Sequence, residues 1–261
     1  MAVANAPEGP GSGYVPTTGR ILPAFGILGW RWISRNPAAT IAPIMLPFIF
    51  LYFLHLISPA SYFPLEVLGA MLFTTQNIGN WVLGDSATWR IEASLQDLFV
   101  ASPLGKFRYL LGIAVSNLIP AAPALAVLAG ILLYVDPASR TPGPWILLAG
   151  TLVVLWVLFS AIGITVSSRV KSQREIWPIG NLAFTVIGML TPLYYPLAIL
   201  PGPWQVACHF VPSTYAALLV QGAFGITPAP ALVLAEYGAL LLVLAVVVTA
   251  VALRLYVWGE R

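Results

Sequence analysis

Six polar side chains stand inside long apolar runs of this 261-residue chain: Gln76, Asn77, Asn80, Asn117, Asn181 and Glu236. Gln76 and Asn80 are four apart and share a helical face. Amides so placed either hydrogen-bond between helices, each contributing on the order of 1 kcal/mol, or line a polar path. Glu236 differs in kind, because a carboxylate within an apolar run is costly unless it pairs or meets water. It contacts substrate, gates a path or reaches the headgroups. Covalent chemistry finds no constellation. His55 and His209 have no metal-ligand partner at helical spacing, and neither HExxH nor Gly-x-Ser-Gly occurs. The single cysteine, Cys208, excludes an internal disulfide and a thiol cluster. Gly105-Lys106 is preceded by Val100 where a phosphate-cradling loop needs its first glycine, and is followed by Phe107. The expectation is a chain with no catalytic residue, no metal site and no cofactor of its own.

The elements that must position these groups are apolar runs at residues 38–57, 65–83, 109–135, 144–167, 176–197 and 230–253. Each is near the roughly 20 residues with which an α-helix crosses about 30 Å of hydrocarbon. Arg20, Arg31 and Arg35 precede the first run, and Arg90, Lys106 and Arg108 lie between the second and third. Arg169, Lys171 and Arg174 separate the fourth and fifth, and Arg254 and Arg261 come after the last. Of the twelve Lys and Arg residues, Arg140 alone falls in the opposite loops. Short basic loops stay cytoplasmic, so the pattern predicts six spans with both termini inside the plasma membrane. Composition agrees: 59% hydrophobic and 8% charged residues leave too little polar surface for a soluble globule. Uninterrupted apolar stretches exclude the alternation of a β-barrel. No basic run is long enough to track a nucleic-acid backbone. Residues 1–19, rich in Gly and Pro, read as a flexible tail before a single membrane domain over 20–261.

Three segments outside the spans carry structure. Ile21, Leu22, Phe25, Leu28, Trp32 and Ile33 recur at helical spacing. They predict either an interfacial helix, with Trp30 and Trp32 at headgroup depth and Arg31 and Arg35 toward phosphates, or a basic flank of the first span. After Gly84-Asp85-Ser86, the residues Ile91, Leu95, Leu98 and Phe99 form an apolar stripe opposite Glu92, Ser94, Gln96 and Asp97. This short amphipathic helix, closed by Ser102-Pro103, either docks a partner or lies on the membrane. The segment from Thr191 to Leu219 is apolar, uncharged and broken by prolines, which predicts re-entrant helices rather than a seventh span. Prolines in spans one and five (Pro43, Pro47, Pro178, Pro192, Pro196) mark them as bent elements. Their aromatics, Phe48, Phe50, Tyr52, Phe53, Phe184, Tyr194 and Tyr195, suit an amphiphile better than an ion.

The order of these parts resembles the permease subunit of type-2 ABC exporters of drugs, lipids and polysaccharides. The motifs that carry the resemblance are the N-terminal amphipathic helix and Arg90-x-Glu92-x-x-Leu95-x-x-Leu98-x-x-x-Ser102-Pro103-Leu104. To these add Thr191-Pro192-Leu193-Tyr194-Tyr195-Pro196 and Val211-Pro212-Ser213-Thr214-Tyr215-Ala216. The resemblance implies an all-α fold and a homodimer of permeases in membrane lipid. It also implies a separate ABC ATPase subunit that holds ATP and Mg. The coupling helix would be Ile91, Glu92, Leu95, Leu98 and Phe99, and the re-entrant region would cap the outer end. Many relatives have an arginine where this chain reads Leu218-Leu219-Val220-Gln221-Gly222. Gln76, Asn77, Asn80, Tyr194, Tyr195 and Glu236 remain candidates for the path. The rival reading is an ATP-independent carrier or channel for a small solute or ion, with the polar residues of span two as its conducting site.

Overall fold

The computed structural model describes residues 18–258 apart from 92–94, 103 and 137–139. Among them the chain is helical, with no strand. In order come α1 (Thr18–Arg35), α2 (Pro37–Ile57), α3 (Phe63–Ile91), α4 (Leu95–Val100), α5 (Lys106–Val135), α6 (Pro142–Ser167) and α7 (Gln173–Leu190). Next are α8 (Gly202–Cys208), α9 (Pro212–Ala223) and α10 (Ala231–Leu255), with 3-10 turns at Ala60–Tyr62 and Leu197–Ile199. Helices α2, α6, α8 and α9 each open with a proline in the first turn. The missing N–H costs nothing there and the ring presets φ. Among the described residues three helices, α5, α6 and α10, are long and apolar enough to cross a membrane.

Helix α3 is the hub, packed on α2, α5, α6, α7 and α9. It buries nearly its whole surface, polar residues included. Close approach explains how. A β-carbon on Gly79 would stand 2.5 Å from the Phe159 carbonyl oxygen, and one on Gly163 would strike Gly79. The α3 and α6 backbones therefore touch, as helices in lipid do through small residues.

Two boundaries differ from expectation. Gly84-Asp85-Ser86, outside the second apolar run, which ends at residue 83, lies inside α3, which continues to Ile91. The Trp177 ring packs over Gly84, and Asn117 donates to Asp85 at 2.9 Å, so the segment is held as helix. Helix α7 stops at Leu190 rather than 197, because Pro192 has no N–H to extend the ladder. The Thr191 hydroxyl closes the end by donating to the Ile187 carbonyl at 2.6 Å. Pro192 and Pro196 thus lie beyond the helix they were expected to bend.

The helices define two ends. At one, the Arg90 guanidinium donates to the Ser167 and Val170 carbonyls, both at 2.6 Å, joining the finish of α3 to the finish of α6. A cation there also complements the helix macrodipole. Lys106, opening α5, reaches the Tyr256 carbonyl after α10 at 2.7 Å. This is the basic end. At the far end, Thr191 bonds Ser213 at 3.0 Å, and Gln221 donates to the Pro192 carbonyl at 3.0 Å.

Candidate functional site

A helix of six residues has no stability of its own in water, so α4 must be held by its surroundings. Phe99 stacks within a cluster of rings: Tyr109 at 5.2 Å, Phe25 at 5.9 Å and Trp89 at 6.3 Å between centroids. Trp258 joins through Tyr109 at 5.1 Å. On the other side of α4, Gln96 is buried. Its amide N–H donates to the Val257 carbonyl at 3.0 Å, and its oxygen accepts from the Tyr256 hydroxyl at 2.8 Å. Burial pushes the Tyr256 phenol up to about 12, which keeps the hydroxyl a donor. Ser102 ends α4 by donating to the Phe99 carbonyl at 2.7 Å.

The expected coupling stripe therefore divides. Ile91 is the last residue of α3 and packs half-buried against the core. Phe99 turns into the ring cluster, and Leu95 is half-buried. Leu98 is 68% exposed, beside exposed Asp97. Glu92 lies outside the described residues. Ile91 is described with α3 and Leu95 with α4, and residues 92–94 between them lie outside the described residues.

Helix α1 packs along α5. Phe25 fills the place of a side chain at Gly112, and Gly29 sits on the backbone of Ser116. The two contacts are one turn apart on both helices, so α1 and α5 run side by side in the same direction. Trp30, Arg31, Trp32 and Arg35 are exposed. Leu28 and Trp32, on the stripe read from the spacing, are exposed as well, and Leu22, Phe25, Gly29 and Ile33 form the face covered by other helices.

Two amides of α3 are engaged through their N–H groups, while the Gln76 and Asn80 side-chain oxygens have no hydrogen-bond partner among the described residues. Gln76 donates to the Phe184 carbonyl at 3.2 Å, and Asn80 to the Asn181 side-chain oxygen at 2.6 Å, so both tie α3 to α7. Asn77 is half-buried. Tyr194 is a core residue, its ring 5.5 Å from Phe50 and 6.2 Å from Phe73. Tyr195 is half-buried, and Glu236 is exposed on α10. The structure does not bring these six candidates into one site. The aromatics of α2 also separate, Phe50 toward the core and Tyr52 and Phe53 outward.

Sequence reasoning missed Glu66, which opens α3 at 1% exposure with neither carboxylate oxygen hydrogen-bonded among the described residues. Its place one residue into an apolar run gave the only signal. It also missed Gln96, Tyr109, Tyr256 and Trp258, whose partners lie far away in the chain. A cleft of about 560 Å³ between α6, α9 and α10 is lined by Leu147, Gly150, Val154, Leu219 and Gly238. No curated protein matches the chain. The profile of the ABC-2 type transporter family, however, matches residues 25–224, from the ring of α1 that meets α4 to the end of α9. That match spans most of the helical membrane protein just described, and the chain belongs to the ABC-2 type transporter family.

Proposed function

We propose that the chain is the permease subunit of an ATP-driven exporter. It would move an amphipathic molecule, such as a drug, a lipid or a lipid-linked glycan, out of the cytoplasm or the inner leaflet. ATP and Mg would be held by a separate ABC ATPase. The observation that carries this reading is α4, anchored through Phe99 and Gln96 while Leu98 is left bare. A leucine presented on a fixed helix suits the groove of a partner.

Helices α2, α3, α5, α6, α7 and α10 serve as six crossings. The basic end then carries Arg90, Lys106, Lys171 and Arg254, and the preference of cationic loops for the inside makes it cytoplasmic together with both termini. The seven residues of α8 and the twelve of α9 reach about 10 and 18 Å, short of the bilayer core, which supports a re-entrant reading. Helix α1, running beside the first part of α5, is assigned to the cytoplasmic side of the membrane, its exposed Trp30, Arg31, Trp32 and Arg35 facing headgroups or the ATPase. A second copy of the chain is assigned to the exposed faces of α2 and α7. Asn181 is exposed there, and an amide facing lipid is unfavourable. Asn77, Tyr195 and Glu236 stay as candidate contacts for cargo, while Gln76, Asn80 and Tyr194 shape the wall.

The test is Leu98→Asp, at a position whose exposure spares the fold. The variant is expected to insert normally and to lose at least about tenfold of the co-purifying ATPase, because its carboxylate would enter an apolar groove unpaired. Full retention of the ATPase with normal transport would show that α4 is not the docking element.

A further inference from the structure

The family match ends at residue 224, yet the residues that fix α4 from behind lie beyond it. Gln96 has two hydrogen-bonding functions and both are taken by the segment after α10: its N–H by the Val257 carbonyl, its oxygen by the Tyr256 hydroxyl. The same segment is held from a third direction, since Lys106 at the start of α5 donates to the Tyr256 carbonyl at 2.7 Å and lies over the Tyr256 ring. Trp258 then closes on Tyr109, which also meets Phe99. Every contact is between chain segments at least 149 residues apart or belongs to the one ring cluster. Buried polar pairs of this kind are costly to leave half-made.

We infer that Tyr256, Val257 and Trp258 form a latch that positions α4, with Gln96 as its receiver, so that α10 moves with the coupling element. The role rests on the assignment of α4 as the ATPase-docking helix. Helix α4 is joined by sequence to α3 and α5 alone. The latch adds α10, the helix that lines the cleft opposite α6 and carries Glu236. Displacement of α4 by a partner therefore reaches the last helix directly rather than through the core. Gln96 and Tyr256 are positioning residues; neither is exposed to a docked subunit.

Tyr256→Phe keeps the ring and removes the hydroxyl alone. Hydrogen exchange on the intact permease in detergent is expected to show the α4 amides opening about three- to tenfold faster, the effect of one lost buried hydrogen bond, with mid-α10 amides unchanged. Gln96→Leu, which strips both bonds, is expected to exceed it, and Leu255→Ala, at an exposed position, to match the wild type. In the reconstituted complex with the ATPase, Tyr256→Phe is expected to retain the ATPase while ATP hydrolysed per substrate moved rises by a similar factor. A merely structural hydroxyl would lower protein yield and leave that ratio alone. Unchanged α4 exchange in both variants overturns the latch. Faster exchange with an unchanged ratio overturns its part in coupling. If the wild-type permease assembles with no ATPase, the docking assignment fails instead, and the exchange result still decides whether the latch exists.

Discussion

Helices α3 and α10 invert the usual relation between apolarity and burial. Helix α10 satisfies the length and apolarity of a membrane span, but only Leu241, Ala245 and Ala252 are buried. Helix α3 is long enough but not apolar enough, yet Glu66, Thr74, Thr75, Gln76, Asn80 and Ser86 are all buried within it. In lipid there is no hydrophobic drive to bring two leucine faces together. Close backbone approach draws a helix inward, and so do polar groups that need partners. The polar residues of α3 therefore mark the centre of the protein, and the apolar surface of α10 marks its rim.

That contrast can be broken most severely at the α3–α6 crossing. Gly163→Leu is expected to destabilise the protein by about 3 kcal/mol or more, read as a collapse of thermal stability in detergent. Gly150→Leu on the same helix, with open space at its β-carbon, is the matched control, and equal loss in both would refute backbone contact as the cause. A smaller effect is expected from Asn80→Leu, which removes the link to Asn181 and should cost about 1 kcal/mol by the same assay. No change there would mean that the amide stands at a cargo path after all. Leu242→Ala on the exposed face of α10 should change stability by less than about 0.5 kcal/mol. A loss near that of a core leucine would place a second copy of the chain, rather than lipid, against α10.

The same physics governs which features were legible in the sequence. The spans at α5, α6 and α10 begin and end within a few residues of their apolar runs, because hydropathy reports contact with lipid. The second apolar run stops at residue 83 because Gly84-Asp85-Ser86 is not apolar, yet the helix goes on, with the Trp177 ring in the space that Gly84 leaves. The α7 end was set too late since 191–197 is apolar, and only the proline at 192 marks the stop. Among the residues expected to couple, spacing grouped Leu98 and Phe99 on one short helix, as α4 has them, but no local signal says that Phe99 faces three rings and Leu98 none. Gln96 falls on the polar face, opposite that stripe, and is buried. Its partners are 160 and 161 residues away, and pairings at that distance leave no periodicity to read.

Gly225 links α9 to α10 at a φ of +70°, a conformation that glycine enters without steric penalty. The Ile226 N–H bonds back to Gln221 at 2.9 Å and the Gly225 N–H to Gly222 at 3.1 Å, the double closure of a Schellman turn. The joint is stiff, and the helix beyond it acts as a lever. Twenty-five residues of α10 make an arm about 38 Å long, so an angular error of about 10° at the glycine would swing its tip by about 7 Å. A hydrogen bond forgives a few tenths of an ångström. The packing of α10 on α6 and α9 sets that aim together with the turn at residue 225, and a β-carbon at that elbow would add the roughly 1–2 kcal/mol of a left-handed φ to the path that brings Tyr256 to Gln96.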